Sequence, residues 1–284
     1  MSNPAESTSQ WQRLLKNVGT WQGSFTQLSA TGQVMSEVAT EVALIAQDDG
    51  RAMHQEVRRY PKGEPAQIQE LNYRSLNRAT LFFENGAFSQ GSMQWGPFSK
   101  FGAELGLIAG ERRLRAVQLF NAENELEQIT LIREQLKGSD APERAPLKVS
   151  DLIGIWQGES VTQYADLRVG RSQSTQLIVE AIGQNTSSDQ IRQTLHFEAG
   201  SAPIISTGTV TDQKISFSEG TQPVQVLLLP DGASITCPTK ITPRQPLFLE
   251  VGWLLDAHTR QRMIRSYDAT GAWASLTLVD EKKV

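Results

Sequence analysis

The sequence predicts an all-β protein built as a tandem duplication: two antiparallel β-rich halves, with one short helix before the first. Three observations carry that prediction. A G-x-W-Q-G segment occurs twice, at Gly19–Gly23 and Gly154–Gly158. A strand-pair pattern closes each half with identical spacings. Elsewhere apolar residues alternate at period two between turn signals set a strand length apart.

In chain order the first element is the helix. Ser9 is a candidate cap, and Trp11, Leu14, Leu15 and Val18 follow at spacings of three and four. Next comes Val18-Gly19-Thr20-Trp21-Gln22-Gly23-Ser24, which matches Ile153-Gly154-Ile155-Trp156-Gln157-Gly158-Glu159. Tryptophan is scarce, so a chance match is a poor explanation. Val38, Thr40, Val42 and Leu44 then alternate. So do Met53 and Val57 around Gln55, and Ile191, Leu195 and Phe197 around Gln193. Asp49-Gly50, Asn85-Gly86, Asp231-Gly232 and Ala269-Thr270-Gly271 punctuate the strands.

The closing repeat runs from Arg115-Ala116-Val117 through Phe120, Ala122 and Leu126 to Ile129–Glu134. Its second copy is Arg262-Met263-Ile264, Tyr267, Ala269, Trp273 and Leu276–Glu281. Just upstream, Glu104-Leu105-Gly106-Leu107 parallels Glu250-Val251-Gly252-Trp253. Between the copies, residues 137–148 hold two prolines, a glycine and several charges, which reads as a linker. The expected domains are therefore 1–137 and 148–284. Short antiparallel strands in this number fit a sandwich or a closed barrel, and closure removes exposed edges.

Composition narrows the function classes. A net charge of −4 and a pI near 5.5 disfavour nucleic acid or an anionic membrane as the main partner; the local pair Arg58–Arg59 does not change this. One cysteine, Cys237, precludes an intramolecular disulfide and a cysteine-based zinc site. The start has neither a basic nor an apolar signal region, and no apolar run nears the roughly 20 residues of a transmembrane segment. The expected location is cytoplasmic.

With these residues in view, the chain resembles the lipocalin-like (calycin) barrels, and within them an uncharacterised cyanobacterial family with two such domains. In that superfamily a G-x-W after a short helix plugs one barrel end, and a late arginine packs across the tryptophan. The resemblance thus implies barrel-closing roles for Gly19, Trp21 and Arg115, and for Gly154, Trp156 and Arg262. A helix before Gly19 and the shorter Val149–Leu152 segment before Gly154 fit it. Nitrobindin-type haem barrels share the G-T-W-x-G opening, but their haem-ligating histidine has no counterpart in Ile129–Leu136 or Leu276–Lys282, so no cofactor is expected. The S-type phycobiliprotein lyases are single barrels of this kind, which makes a pigment a ligand by analogy.

Candidate site residues follow from strand geometry. His54-Gln55-Glu56 and His196-Phe197-Glu198 are both H-x-E, so His and Glu share a face, as a metal half-site or acid–base pair requires. A charged, solvated strand face is the stronger reading of them, since Arg58 and Arg192 join it. Glu104 and Glu250 recur within apolar strands, where an arginine across the barrel is the natural partner. Phe82, Phe83, Phe88, Met93, Trp95, Phe98 and Phe101 cluster in the first half; Phe82, Phe88 and Trp95 are candidates for an apolar cavity wall. No nucleophile elbow, phosphate loop or HExxH motif occurs, and no metal site is expected. The leading expectation is a non-enzymatic binder of a small apolar molecule such as a pigment, lipid or isoprenoid. The alternatives are a chromophore lyase or other enzyme using the H-x-E pairs, and an interaction scaffold with filled barrels.

Overall fold

The computed structural model describes residues 8–182, 189–197 and 201–284. Ser9 caps α1 (Gln10–Leu14) through a reciprocal capping box with Gln12. A turn of tighter 3₁₀ helix, Leu15–Asn17, completes the segment, so the helix is shorter than the apolar spacing predicts. The first sheet contains β1 (Gly19–Leu28), β2 (Val34–Gln47), β3 (Ala52–Tyr60), β4 (Gln67–Tyr73), β5 (Thr80–Phe82), β6 (Phe88–Gly91), β7 (Phe101–Ala109), β8 (Arg112–Phe120) and β9 (Leu126–Leu136). Its strand order is β4-β3-β2-β1-β9-β8-β7-β6-β5. This is a curled half-barrel: among the described residues no ladder joins β4 to β5, where the sequence pattern predicts a closed barrel. Among the described residues the first sheet has nine strands where the second half has ten.

The second half opens with α2 (Val149–Leu152). Its strands are β10 (Gly154–Tyr164), β11 (Gln173–Ile182), β12 (Gln190–Phe197), β13 (Ile204–Thr211), β14 (Lys214–Phe217), β15 (Val224–Leu228), β16 (Ala233–Pro238), β17 (Leu247–Leu254), β18 (Thr259–Tyr267) and β19 (Trp273–Lys283). They form a closed antiparallel barrel, with β10 paired to both β11 and β19. Thus the all-β prediction holds, with one true barrel and one open relative of it.

The predicted linker is pinned to the second barrel. Leu147 is buried and donates its N–H to Leu229, while the Arg144 N–H bonds Asp231. Asp231 also pairs with Arg112 of β8, tying both halves to the same carboxylate.

The largest apolar cluster lies between the two sheets, on their outer faces. Leu105, Leu107, Leu114, Ala116 and Leu131 of the first pack with Leu249, Val251, Trp253, Met263 and Leu276 of the second. Each sheet interior has its own smaller cluster, around Trp21 and around Trp156. Burying the outer faces of β7, β8, β17 and β18 frees their inner faces to carry charge, because the hydrophobic drive is met on the other side of the strand. Arg265, wholly buried in this seam, donates to the Tyr267 hydroxyl at 2.7 Å and to the Ser92 carbonyl at 3.2 Å. Its guanidinium lies 3.8 Å from the Trp273 ring centroid.

Candidate functional site

The repeated residues assemble into the same charged ladder inside each half. In the first, Arg113 bonds Glu134 at 2.7 Å, Arg115 bonds Glu134 at 2.8 Å, and Arg115 reaches Glu104 at 2.6 Å. In the second, Arg260 and Arg262 hold Glu281, and Arg262 meets Glu250 at 3.4 Å. Strand registers make the arrangement. Glu134 stands opposite Arg113 on one side and Gly23 on the other, as Glu281 does between Arg260 and Gly158.

This explains the second glycine of G-x-W-Q-G. A Cβ on Gly23 would fall 1.8 Å from the Arg133 carbonyl oxygen, and one on Gly158 would fall 2.7 Å from Glu281 Cγ. Only glycine lets the neighbouring strand approach closely enough to seat the carboxylate.

The tryptophans close the ladder. Trp21 Nε1 donates to the Asn17 carbonyl at 2.9 Å, and Trp156 Nε1 to the Leu152 carbonyl at 2.8 Å. The arginine over each indole is not the one the resemblance implies. Arg113 lies 4.5 Å from the Trp21 ring centroid and Arg260 lies 4.6 Å from that of Trp156. Arg115 and Arg262, two residues further along the same face, hold the carboxylates instead. Alternation gives the reason: the strand passes the plug at Arg113 and is about 7 Å beyond it at Arg115.

Burial opposes the charge on Glu134 and on Glu281, and pairing with the arginines overrides it. Against its desolvation, Arg113 and Arg115 hold the Glu134 carboxyl down at about 2. Glu281 is lowered by the same balance of burial against Arg262 and Arg260. Burial pushes down on Arg115 and Arg262, but Glu134 with Glu104, and Glu281 with Glu250, raise both overall. Each ladder is two arginines against two glutamates and is neutral. Its recurrence in both halves marks it as part of the fold.

Beside the first ladder lies a groove made of two adjoining hollows of about 460 and 530 Å³. They share Val42, Gln55, Leu71, Gln90, Glu104 and Arg115 as walls. One end holds Phe25, Val57, Arg59 and Ile132; the other holds Leu14, Tyr73, Phe82 and Phe88. Phe82 and Phe88 stack at 5.1 Å, and Tyr73 donates to Gln55 at 3.2 Å. The β4–β5 connection, Ser75, Leu76 and Asn77, forms part of the rim. The corresponding hollow in the second barrel is about 300 Å³.

The candidate residues are divided by this geometry. Phe82 and Phe88 face the groove. Trp95 does not: it is buried in the seam, where its backbone N–H bonds the Gly271 carbonyl. His54 and Glu56 lie on the outer face of β3, opposite Met53 and Val57; His54 contacts Asn72, and Glu56 pairs with Arg58. His196 also faces outward, beside Gln176 across the ladder, in a broad open depression on the second barrel. Glu198 lies outside the described residues. The two H-x-E segments are not equivalent either. Counting from the shared glycines, Leu44 and Val179 correspond, so Gln55 matches Gln193 and His54 matches Arg192. No cluster of His, Cys, Asp and Glu able to hold a metal occurs among the described residues.

Residues that sequence reasoning passes over are Phe25, Gln55, Arg59, Leu71, Tyr73 and Gln90. A signal for Arg59 exists, since period two places it with Met53 and Val57 on the inner face of β3.

Comparison with known proteins gives matches over both halves. The family described as "Domain of unknown function (DUF3598), N-terminal" matches residues 7–139. The family described as "Biogenesis factor required for ATP synthase 1, C-terminal domain" matches residues 143–284. A solved protein of unknown function from the DUF3598 family of Nostoc punctiforme is 42% identical, with a TM-score of 0.89, over 98% of this chain and 100% of that one. The S-type phycobiliprotein lyase CpeS from Guillardia theta is 10% identical, with a TM-score of 0.38, over 48% of this chain and 90% of that one. Comparison with curated proteins finds no match. No helix among the described residues is long and apolar enough to cross a membrane.

Proposed function

The chain belongs to the DUF3598 family, and from the geometry of its first half we propose that it is a binding protein that holds a small, largely apolar molecule inside the curled sheet. The observation that carries this reading is the groove beside the first ladder. It is walled by Phe25, Val42, Leu71, Phe82 and Phe88 together with polar side chains such as Gln55, Gln69 and Gln90, and it lies in a sheet that, among the described residues, no ladder closes between β4 and β5. Its walls mix apolar side chains with polar and charged ones in about equal number; in small-molecule sites the apolar surface holds the body of the ligand and the placed polar groups orient it. An apolar molecule gains there by leaving water, and the missing ladder offers a way in.

The second barrel is closed all round and has a smaller hollow, so the ligand is assigned to the first half alone. Enzymatic use of the H-x-E pairs needs them to face a pocket inside a barrel. His54, Glu56 and His196 face outward, which favours the binding reading.

Two measurements test the proposal. Native mass spectrometry of gently purified protein is expected to show a co-purifying small molecule, or the empty protein to take up the neutral fluorophore 1-aminoanthracene with saturation. Val42→Trp, which fills the middle of the groove, is expected to reduce that uptake at least tenfold. Uptake that is undiminished in this variant, with its circular dichroism unchanged, would place the apolar site elsewhere and sink the proposal.

A further inference from the structure

We infer that the ligand of the first half carries an anionic head, a carboxylate at the end of an elongated apolar body, and that Arg59 receives it. The inference rests on the proposed binding role of the groove and adds the chemistry of its occupant.

The charges lining the groove do not cancel. Arg113, Arg115, Glu104 and Glu134 form a neutral ladder at the groove wall, each charge met by its opposite. Arg59 projects from β3 into the same groove, on the face that carries Gln55 and Val57. It forms no ion pair among the described residues. Its neighbour Arg58 points to the other face and is already held by Glu56. The groove therefore has one guanidinium in excess.

Its placement suits an anion. The Arg59 guanidinium carbon lies 5.5 Å from the Phe25 ring centroid, and that of Arg115 lies 5.7 Å from the same ring. A carboxylate that joins a partly desolvated guanidinium makes a charge-assisted hydrogen bond stronger than one in bulk water. Guanidinium offers a planar pair of donors that a carboxylate accepts bidentately. From Arg59 the groove runs past Val42 and Leu71 to the stacked Phe82 and Phe88, a path for an apolar body.

The duplication supplies a control. The same registers place Phe197 where Arg59 stands and Ser160 where Phe25 stands. Likewise Ser234 replaces Phe88 and Thr236 replaces Gln90, whereas Gln55 and the whole ladder recur as Gln193 and its counterpart. What the fold needs is kept in both halves. The cation and its aromatic platform belong to the first half only.

A fatty acyl carboxylate and a tetrapyrrole propionate share this chemistry, so the test uses both. The full chain is titrated with cis-parinaric acid and its methyl ester, and with biliverdin and its dimethyl ester. In at least one pair the acid is expected to bind about tenfold more tightly than the ester, the effect of one charge-assisted contact. Arg59→Gln and Arg59→Phe are expected to erase the preference of acid over ester, and Arg59→Lys to keep part of it. The pair that discriminates identifies the source. Acid and ester binding equally in both pairs, or a preference that survives Arg59→Gln, overturns the role of Arg59 and leaves the groove as an apolar site. If none of the four compounds binds, the anionic-head inference fails, while uptake of 1-aminoanthracene decides separately whether the groove binds apolar molecules.

Discussion

Arg113 lies over the indole of Trp21, its guanidinium carbon 4.5 Å from the ring centroid, while the same side chain grips Glu134 at 2.7 Å. One residue thus joins the plug of the sheet to its charged ladder, as Arg260 does for Trp156 and Glu281. Removing it takes away a desolvated cation–π contact and half the partners of a buried carboxylate. Arg113→Leu is expected to cost about 3–5 kcal/mol in urea unfolding, the range for breaking a buried ion pair. Arg58→Leu, on the outer face, is expected to leave the urea midpoint close to that of the parent, as exposed pairs contribute little.

The glycine opposite Glu134 gives a second expectation. At Gly23 a methyl group meets backbone that cannot swing aside, 1.8 Å from the Arg133 oxygen. At Gly170 the nearest atom is an ordinary 3.4 Å away. Gly23→Ala is therefore expected to cost about 3 kcal/mol or more through strand separation and loss of the ladder. Gly170→Ala is expected to be within about 0.5 kcal/mol of the parent. Equal stability of the two variants would break the proposed link between the motif and the ladder.

Much of this ladder is legible in the amino-acid sequence. Repetition singles out Trp21, Glu104, Arg115 and Glu134 with their partners, because two copies keep what the fold needs. Arg113 escapes a repeat that starts at Arg115, although Arg260 matches it two residues ahead of Arg262. The seam escapes for a different reason. Period-two alternation shows that Leu105 and Leu107 share one face and Glu104 the other, but not which face is inside. A barrel pattern puts the apolar face in each interior; here it is outside, packed on the other half. Trp95 reaches the same seam from the connection between β6 and β7, where no strand period applies. The open gap between β4 and β5 depends on how far the curl of the sheet reaches, which no local pattern records.

Acid should weaken the ladder in a defined window. The Glu134 carboxyl is held at about 2 in the folded chain, against an ordinary 4.5. A carboxylate lowered on folding adds stability above its unfolded value and loses it as pH falls through the folded one. Stability from Glu134 is thus complete above about pH 4.5 and declines from there toward about pH 2, and Glu281 acts in the same sense. Urea midpoints taken between about pH 5 and pH 2.5 are expected to fall steeply in the parent. Glu134→Gln is expected to start lower and fall less steeply. An unchanged slope in that variant would show that other carboxylates govern the acid transition.

The seam makes a prediction about cooperativity. Leu107, Leu114 and Leu131 of the first sheet and Val251, Trp253 and Met263 of the second are all buried against the same cluster. Neither outer face can be exposed without a large apolar penalty, at about 25 cal/mol per Å². The two halves are therefore expected to unfold in one transition, with calorimetric and van't Hoff enthalpies in agreement. Leu114→Asp, which puts a charge into the seam, is expected to destabilise both halves together. Cys237 provides the local probe. It sits in the seam, fully buried, and desolvation pushes its thiol up to about 12, so little thiolate exists at neutral pH. Its reaction with a disulfide reagent is expected to track the global transition in urea, with no labelling at lower concentrations. Labelling that precedes the loss of the tryptophan fluorescence signal would mean that the seam opens before either sheet unfolds, and the halves would then be separate cooperative units.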